Sequence, residues 1–118
     1  MIRNLLGLAL LSVSAVACGG APIPNQQLAT ASAAVRAAEV GGANEDPQAE
    51  LRLKNARDKI AEAEALIKEG DNELATYRLG EAEADAELAS ALAQLAKAKA
   101  DAAAAVKRIK ELQAEAGS

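Results

Sequence analysis

From Asn72 to Ala116 apolar residues return every three or four positions: Leu74, Tyr77, Ala84, Leu88, Ala91, Leu95, Ala98, Ala102, Ala105, Ile109 and Leu112, broken only by Glu81. The stretch has no proline and one glycine, Gly80, and alanine is its commonest residue, so it predicts a single helix. At 1.5 Å per residue such a helix would be roughly 65 Å long, a rod longer than a compact domain of this size is wide. The heptad stripe calls for a partner helix. Tyr77, the one aromatic residue, belongs to the stripe and is expected in the core with its hydroxyl at the edge.

Two shorter amphipathic patterns precede it. Gln26 to Val40 presents Leu28, Ala31, Val35 and Ala38 at heptad spacing and stops at Gly41-Gly42. In Asn44-Glu45-Asp46-Pro47 the aspartate is placed to cap a second helix whose first position is the proline. That helix runs to Glu69, shows Ala49, Leu53, Ala56, Ile60, Ala63 and Ile67 on one face, and ends at Gly70. Asp71 or Asn72 caps the long helix, so the connection is short enough to force an antiparallel hairpin. The expected fold is all-α: a helical hairpin domain over residues 26–116, with a short N-terminal helix and one long, coiled-coil-like C-terminal helix. An up, down, up course would bring the start of the first helix to the Gly70 end. The long helix would outrun its partner from about Leu95 on.

Composition narrows the chemistry. The 118 residues contain no histidine, tryptophan or phenylalanine, and one cysteine. No His/Cys zinc set and no hydrolase triad can be assembled, so no catalytic residue, metal site or cofactor is expected and the chain does not read as an enzyme. Few large apolar side chains are available to bury, which favours tethering or self-association. The net charge of −4 opposes nucleic-acid binding, which needs basic surface.

The beginning of the chain is different in character. Residues 1–17 carry Arg3 as their only charge, an apolar run from Leu5 to Leu11, and then small residues, the pattern of an export signal peptide too short to span a bilayer. Ala15 and Ala17 satisfy the small-x-small rule for cleavage after Ala17. Ala15-Val16-Ala17-Cys18 also resembles the bacterial lipobox, although lipoboxes most often carry leucine where Ala15 stands. A lone thiol in an exported chain has no internal disulfide partner, and lipidation of Cys18 would remove it. Gly19 after the cysteine resembles the pattern of lipoproteins sent to the outer membrane. Residues 18–25, with Pro22 and Pro24, then form the lipidated cysteine and a flexible tether. Ordinary secretion without a lipid is the competing expectation, and it would make the chain a secreted helical binding module.

Charge is unevenly spread along the long helix. Glu69, Asp71, Glu73, Glu81, Glu83, Asp85 and Glu87 crowd its start against Arg78; a solvated face near a helix N-terminus accounts for them better than a divalent-cation site without a loop of oxygen ligands. Lys97, Lys99, Lys107, Arg108 and Lys110 lie in its second half, where cations complement the helix dipole or attract an anionic partner. Together with Leu95, Ile109 and Leu112 they make the candidate interaction surface. Its expected occupants are a second copy, in one arrangement antiparallel and centred near Gln94, or another envelope protein.

The lipobox-like segment, the proline tether and the string from Glu69-Gly70-Asp71 through Ala82, Ala84, Asp85, Ala86, Glu87, Leu88 and Ala89 together resemble a bacterial domain-of-unknown-function family of alanine-rich envelope lipoproteins. The resemblance implies a lipid-anchored helical hairpin of structural or adaptor role that presents a helical rod to the periplasm. In that family the hairpin often stands ahead of an OmpA-like peptidoglycan-binding domain, a second domain that these 118 residues do not contain. Small murein lipoproteins are similar in being lipidated helical rods, but they end in a lysine joined to the wall. With Ala116-Gly117-Ser118 in that place, any peptidoglycan contact would be non-covalent. The Gly70-Asp71 turn followed by Ala75, Leu79, Ala82 and Ala86 also resembles one tetratricopeptide unit; with one such turn in the chain, a plain hairpin is the expectation.

Overall fold

The computed structural model describes residues 19–118, which form three helices: α1 (Asn25–Val40), α2 (Pro47–Glu69) and α3 (Asn72–Ala116). Among the described residues no strand is present, and the expected all-α hairpin with a long C-terminal helix is the architecture found. The expected export signal at residues 1–17 and the expected lipidation of Cys18 fall outside the described residues. α1 begins one residue earlier than the sequence pattern suggests, at Asn25, directly after the buried ring of Pro24.

The turns form for the reasons the residues supply. Asp46 Oδ1 accepts from the backbone N–H of Gln48 (3.0 Å) and of Ala49 (2.9 Å), occupying two of the donors that every helix start leaves free. At the other end of α2, Gly70 adopts φ 86°, a left-handed conformation that a side chain would disfavour. There Gly70 N donates to Ile67 O and Asp71 N to Leu66 O, closing the helix and reversing the chain within two residues. Asp71 Oδ1 accepts from Leu74 N at 3.2 Å and starts α3.

Two apolar clusters hold the helices together, and they also fix the direction of α1. Ala31, with Leu28 beside it, packs with Ala63, Ala75, Leu79 and Ala82 near the hairpin tip. Val35 and Ala38 pack with Ala49, Leu53, Ala56, Ala86, Ala89 and Ala93 farther along. Thus α1 runs parallel to α3 and antiparallel to α2, the up, down, up course expected. The inward faces of α1 and α2 are those their patterns announce, with Ala31, Val35, Ala38, Ala49, Leu53, Ala56 and Ala63 buried and Ile60 and Ile67 partly so.

The inward face of α3 is not. Its buried residues are Ala75, Leu79, Ala82, Asp85, Ala86, Ala89 and Ala93, whereas the heptad stripe of larger residues faces out. Tyr77 is 63% exposed, against the expectation of a core position. Both stripes repeat at heptad spacing, and at about 100° per residue they lie on opposite sides of the helix. Alanine wins the inner side because α3 meets two helices there at once, and small side chains let the axes approach to the lower end of the usual 8–10 Å. Among the described residues Leu53 and Leu79 are the only large side chains fully enclosed.

Ion pairs seam the same contacts. Asp85, 8% exposed, receives Lys59 Nζ at 2.6 Å and Arg52 at 3.4 Å from α2, so it is not part of a solvated acidic face. Arg78 Nε lies 3.1 Å from Glu62 Oε1, a charge contact whose angle is too poor for a hydrogen bond, and its Nη1 donates to Glu81 Oε2 at 2.7 Å. Glu81 first, then Glu62, favours the charged guanidinium and raises its pKa above the ordinary value. Arg57 Nε donates to Glu39 of α1 at 3.1 Å.

Candidate interaction surface

α2 ends where α3 is half done. Beginning at Lys97, every residue to Ser118 is exposed, so the second half of α3 stands clear of the bundle as the length difference between the helices predicts. On this overhang Leu95, Val106, Ile109 and Leu112 are each about half exposed. The same outer side of α3 carries Leu74, Tyr77 and Leu88 beside the bundle, all exposed. The apolar stripe therefore extends from the hairpin tip almost to the end of the chain, well beyond the overhang where sequence reasoning placed the surface.

Near its middle the stripe widens into a shallow hollow of about 330 Å³ lined by Gln48, Leu51, Arg52, Leu88 and Leu92, where exposed Leu51 of α2 adds to the apolar area. This lateral extension was not legible in the heptad of α3 alone, because it needs the register of α2 against α3. A second, larger notch of about 500 Å³ opens where Gly41, Gly42, Glu45 and Asp46 overhang Ala93, Lys97 and Asp101. It brings no nucleophile beside a base. Among the described residues no three His, Cys, Asp or Glu side chains converge as a metal site, and no helix is long and apolar enough to cross a membrane.

The cations expected on this surface are in place but differ in company. Lys97 Nζ lies 3.1 Å from Asp101 Oδ2, while Lys107 and Arg108 both reach toward Glu111 at 3.9 Å. Lys99 and Lys110 form no ion pair among the described residues. Such exposed pairs are weak and salt-screened, so none of them locks the overhang. Leu95, Ile109 and Leu112 share the outer side with Lys99 and Arg108 at its two margins, whereas Lys97, Lys107 and Lys110 sit toward the inner side. The structure thus gathers the apolar members of the predicted surface and divides the basic ones between two faces.

At the opposite end, the segment leading into α1 touches the start of α3. Asn72 Nδ2 donates to Ala21 O at 2.8 Å, and Pro24 is buried. The chain therefore enters the bundle at the hairpin tip, and the overhang points away from that entry. Ala15, Ala17 and Cys18 precede the described residues.

No curated protein and no solved structure matches the chain. One family does: its model covers residues 26–105, that is α1, α2 and α3 as far as Ala105, about two thirds of the sequence. A match of that extent, over all three helices and most of the outer stripe, places the chain in the family described as domain of unknown function DUF4398.

Proposed function

We propose that this chain is a non-catalytic, lipid-anchored structural or adaptor protein of the bacterial cell envelope, held through Cys18 in the outer membrane and presenting a helical rod to the periplasm. The observation that carries the reading is the placement of the two ends of the rod. Ala21 is bonded to Asn72 at the hairpin tip, so an anchor three residues earlier would lie beside the first turn of α3. The uncovered half of α3 then projects away from the membrane by the length of the helix, roughly 65 Å for 45 residues. A protein that only needed to sit on a membrane would have no use for an exposed apolar stripe carried that far from it.

The remaining parts of the proposal rest on sequence. Residues 1–17 supply the export signal, Ala15 to Cys18 the lipobox-like acceptor, and the absence of histidine removes the commonest acid-base group. Lys99 and Lys110, which form no ion pair among the described residues, supply attraction for anionic wall polymer, which would be a non-covalent contact. In family terms this is the envelope-lipoprotein character that the alanine-rich hairpin resembles.

Replacing the acceptor tests it. Each buried methylene of an acyl chain contributes about 0.8 kcal/mol, and two chains already hold a protein stably. The Cys18→Ser chain should leave the membrane fraction, and the unsubstituted protein should carry the added mass of acyl chains at its N-terminus. Membrane retention of Cys18→Ser after a high-salt wash would overturn the anchor. An unacylated unsubstituted protein would leave a secreted helical binding module in its place.

A further inference from the structure

The outer stripe of α3 has no cover within the described residues, yet its two margins are not alike. Along one margin stand Glu73, Glu87, Asp101 and Glu115, with Arg108 as its one cation; along the other stand Arg78 and Lys99, with Asp85 between them already buried against Lys59 and Arg52 of α2. We infer that two copies of the chain pack in parallel, α3 against α3, along this stripe. In a parallel pair of helices each margin faces the opposite margin of the partner, five residues on, and these flanking charges set orientation. Glu73 then falls beside Arg78 of the second copy and Gln94 beside Lys99, and no like-charged pair arises at these positions.

An antiparallel pair over the same length fares worse. Each margin would meet its own kind, bringing Glu87 beside Asp101 and Glu73 beside Glu115, each twice. The charges therefore select the parallel form over the antiparallel register that the sequence pattern alone suggested. Within the stripe, parallel packing stacks Leu88, Leu95, Ile109 and Leu112 each on its own counterpart, with Ala91, Ala98, Ala102 and Ala105 between them. Glu81 would face its counterpart as well, but its carboxylate is already held by Arg78 at 2.7 Å. Parallel packing also leaves both hairpin tips at one end, so two anchors enter one membrane. That last point rests on the anchoring reading, whereas the charge pattern does not.

Residues 19–118 contain all three helices and both core clusters, and they contain no cysteine, so this fragment serves for the test. Sedimentation should show a concentration-dependent dimer. Ile109→Asp should raise its dissociation constant by about tenfold or more, since it places a charge in the contact, with helix content unchanged because Ile109 belongs to neither core cluster. Under mild oxidation Leu112→Cys alone should give a covalent dimer, and adding Ile109→Asp should abolish it. A monomer mass at every concentration would overturn the proposal and give the stripe to another envelope protein. Cross-linking confined to mixtures of Leu74→Cys with Leu112→Cys would overturn it in favour of antiparallel pairing. The fragment lacks Cys18, so neither result bears on the anchor, and the fate of Cys18→Ser does not bear on the pairing.

Discussion

The two halves of α3 share one helix and one heptad rhythm but solve different problems. From Asn72 to Ala93 the helix is flanked on its inner side by α1 and α2, and what it buries there is alanine, one leucine and the charge-paired Asp85. From Leu95 onward no helix flanks it, and its larger residues are all about half exposed. Apolar size therefore does not decide what is buried in this chain. Where three helices converge the small residue is taken in, and the large ones are left on a surface that a single further helix could cover.

The comparison is broken most severely at Leu79, one of the two large side chains fully enclosed among the described residues. Leu79→Ala should cost about 2–5 kcal/mol, the range for a buried leucine, because the other buried members of its cluster are alanines held by the helix backbones. Thermal melting of the 19–118 fragment should show the loss of cooperative unfolding or a fall of many degrees. If Leu79→Ala melts like the unsubstituted fragment, the inner face of α3 has been placed wrongly and the larger stripe is the core after all.

How far the sequence reveals this depends on which element is read. Leu28, Ala31, Val35 and Ala38, and likewise Ala49, Leu53, Ala56 and Ala63, announce the inner faces of α1 and α2 because each of those helices has one apolar stripe. α3 has two with the same spacing, and the weight of Leu88, Leu95 and Ile109 draws attention to the outer one. Ala75, Leu79, Ala82 and Ala86 stood out only as a tetratricopeptide-like string after Gly70, and their burial follows from packing against two helices, a fact about assembly and not about α3 itself. The caps at Asp46 and Gly70 are local chemistry and are legible for that reason. The overhang is legible from helix lengths alone. The ion pairs become visible once the chain is folded at Gly70: Glu62 and Arg78 stand equally far from it on either side, and Lys59 and Asp85 fall about one helical turn from level.

That pairing gives the next largest effect. Asp85 is the only charged residue buried among those described, and it takes contacts from Lys59 and Arg52. Asp85→Ala removes a charge-assisted hydrogen bond while leaving Lys59 partly enclosed, and should cost about 1.5–3 kcal/mol. Asp101→Ala, which removes an exposed pair with Lys97 on the overhang, should change stability by less than about 0.5 kcal/mol. Urea midpoints of the two variants, compared at equal fragment concentration, check the contrast; equal shifts would mean that the first half of α3 is no better seamed than the second.

The smallest effect falls at Gly80, and it has the opposite sign. Gly80 interrupts α3 on the side turned away from the core, and a Cβ added there meets nothing within 4 Å. Glycine inside a helix is unfavourable relative to alanine by about 0.5–1 kcal/mol, through the backbone freedom it forfeits on folding. Gly80→Ala should therefore stabilise the monomer by that amount, seen as a rise in melting temperature at low fragment concentration, where pairing does not contribute. At high concentration the same variant reads the outer face. Gly80 lies on the acidic margin of the stripe, one turn before Ala84, where a second α3 would come close. A methyl group at that margin should leave the dimer dissociation constant within about twofold if the copies meet on the stripe alone, since a small exposed change away from a packed core moves free energies by under about 0.5 kcal/mol. A large weakening of the dimer without loss of monomer stability would instead mean that the backbones approach each other at Gly80, placing the axis of pairing nearer the acidic margin than the stripe of larger residues suggests.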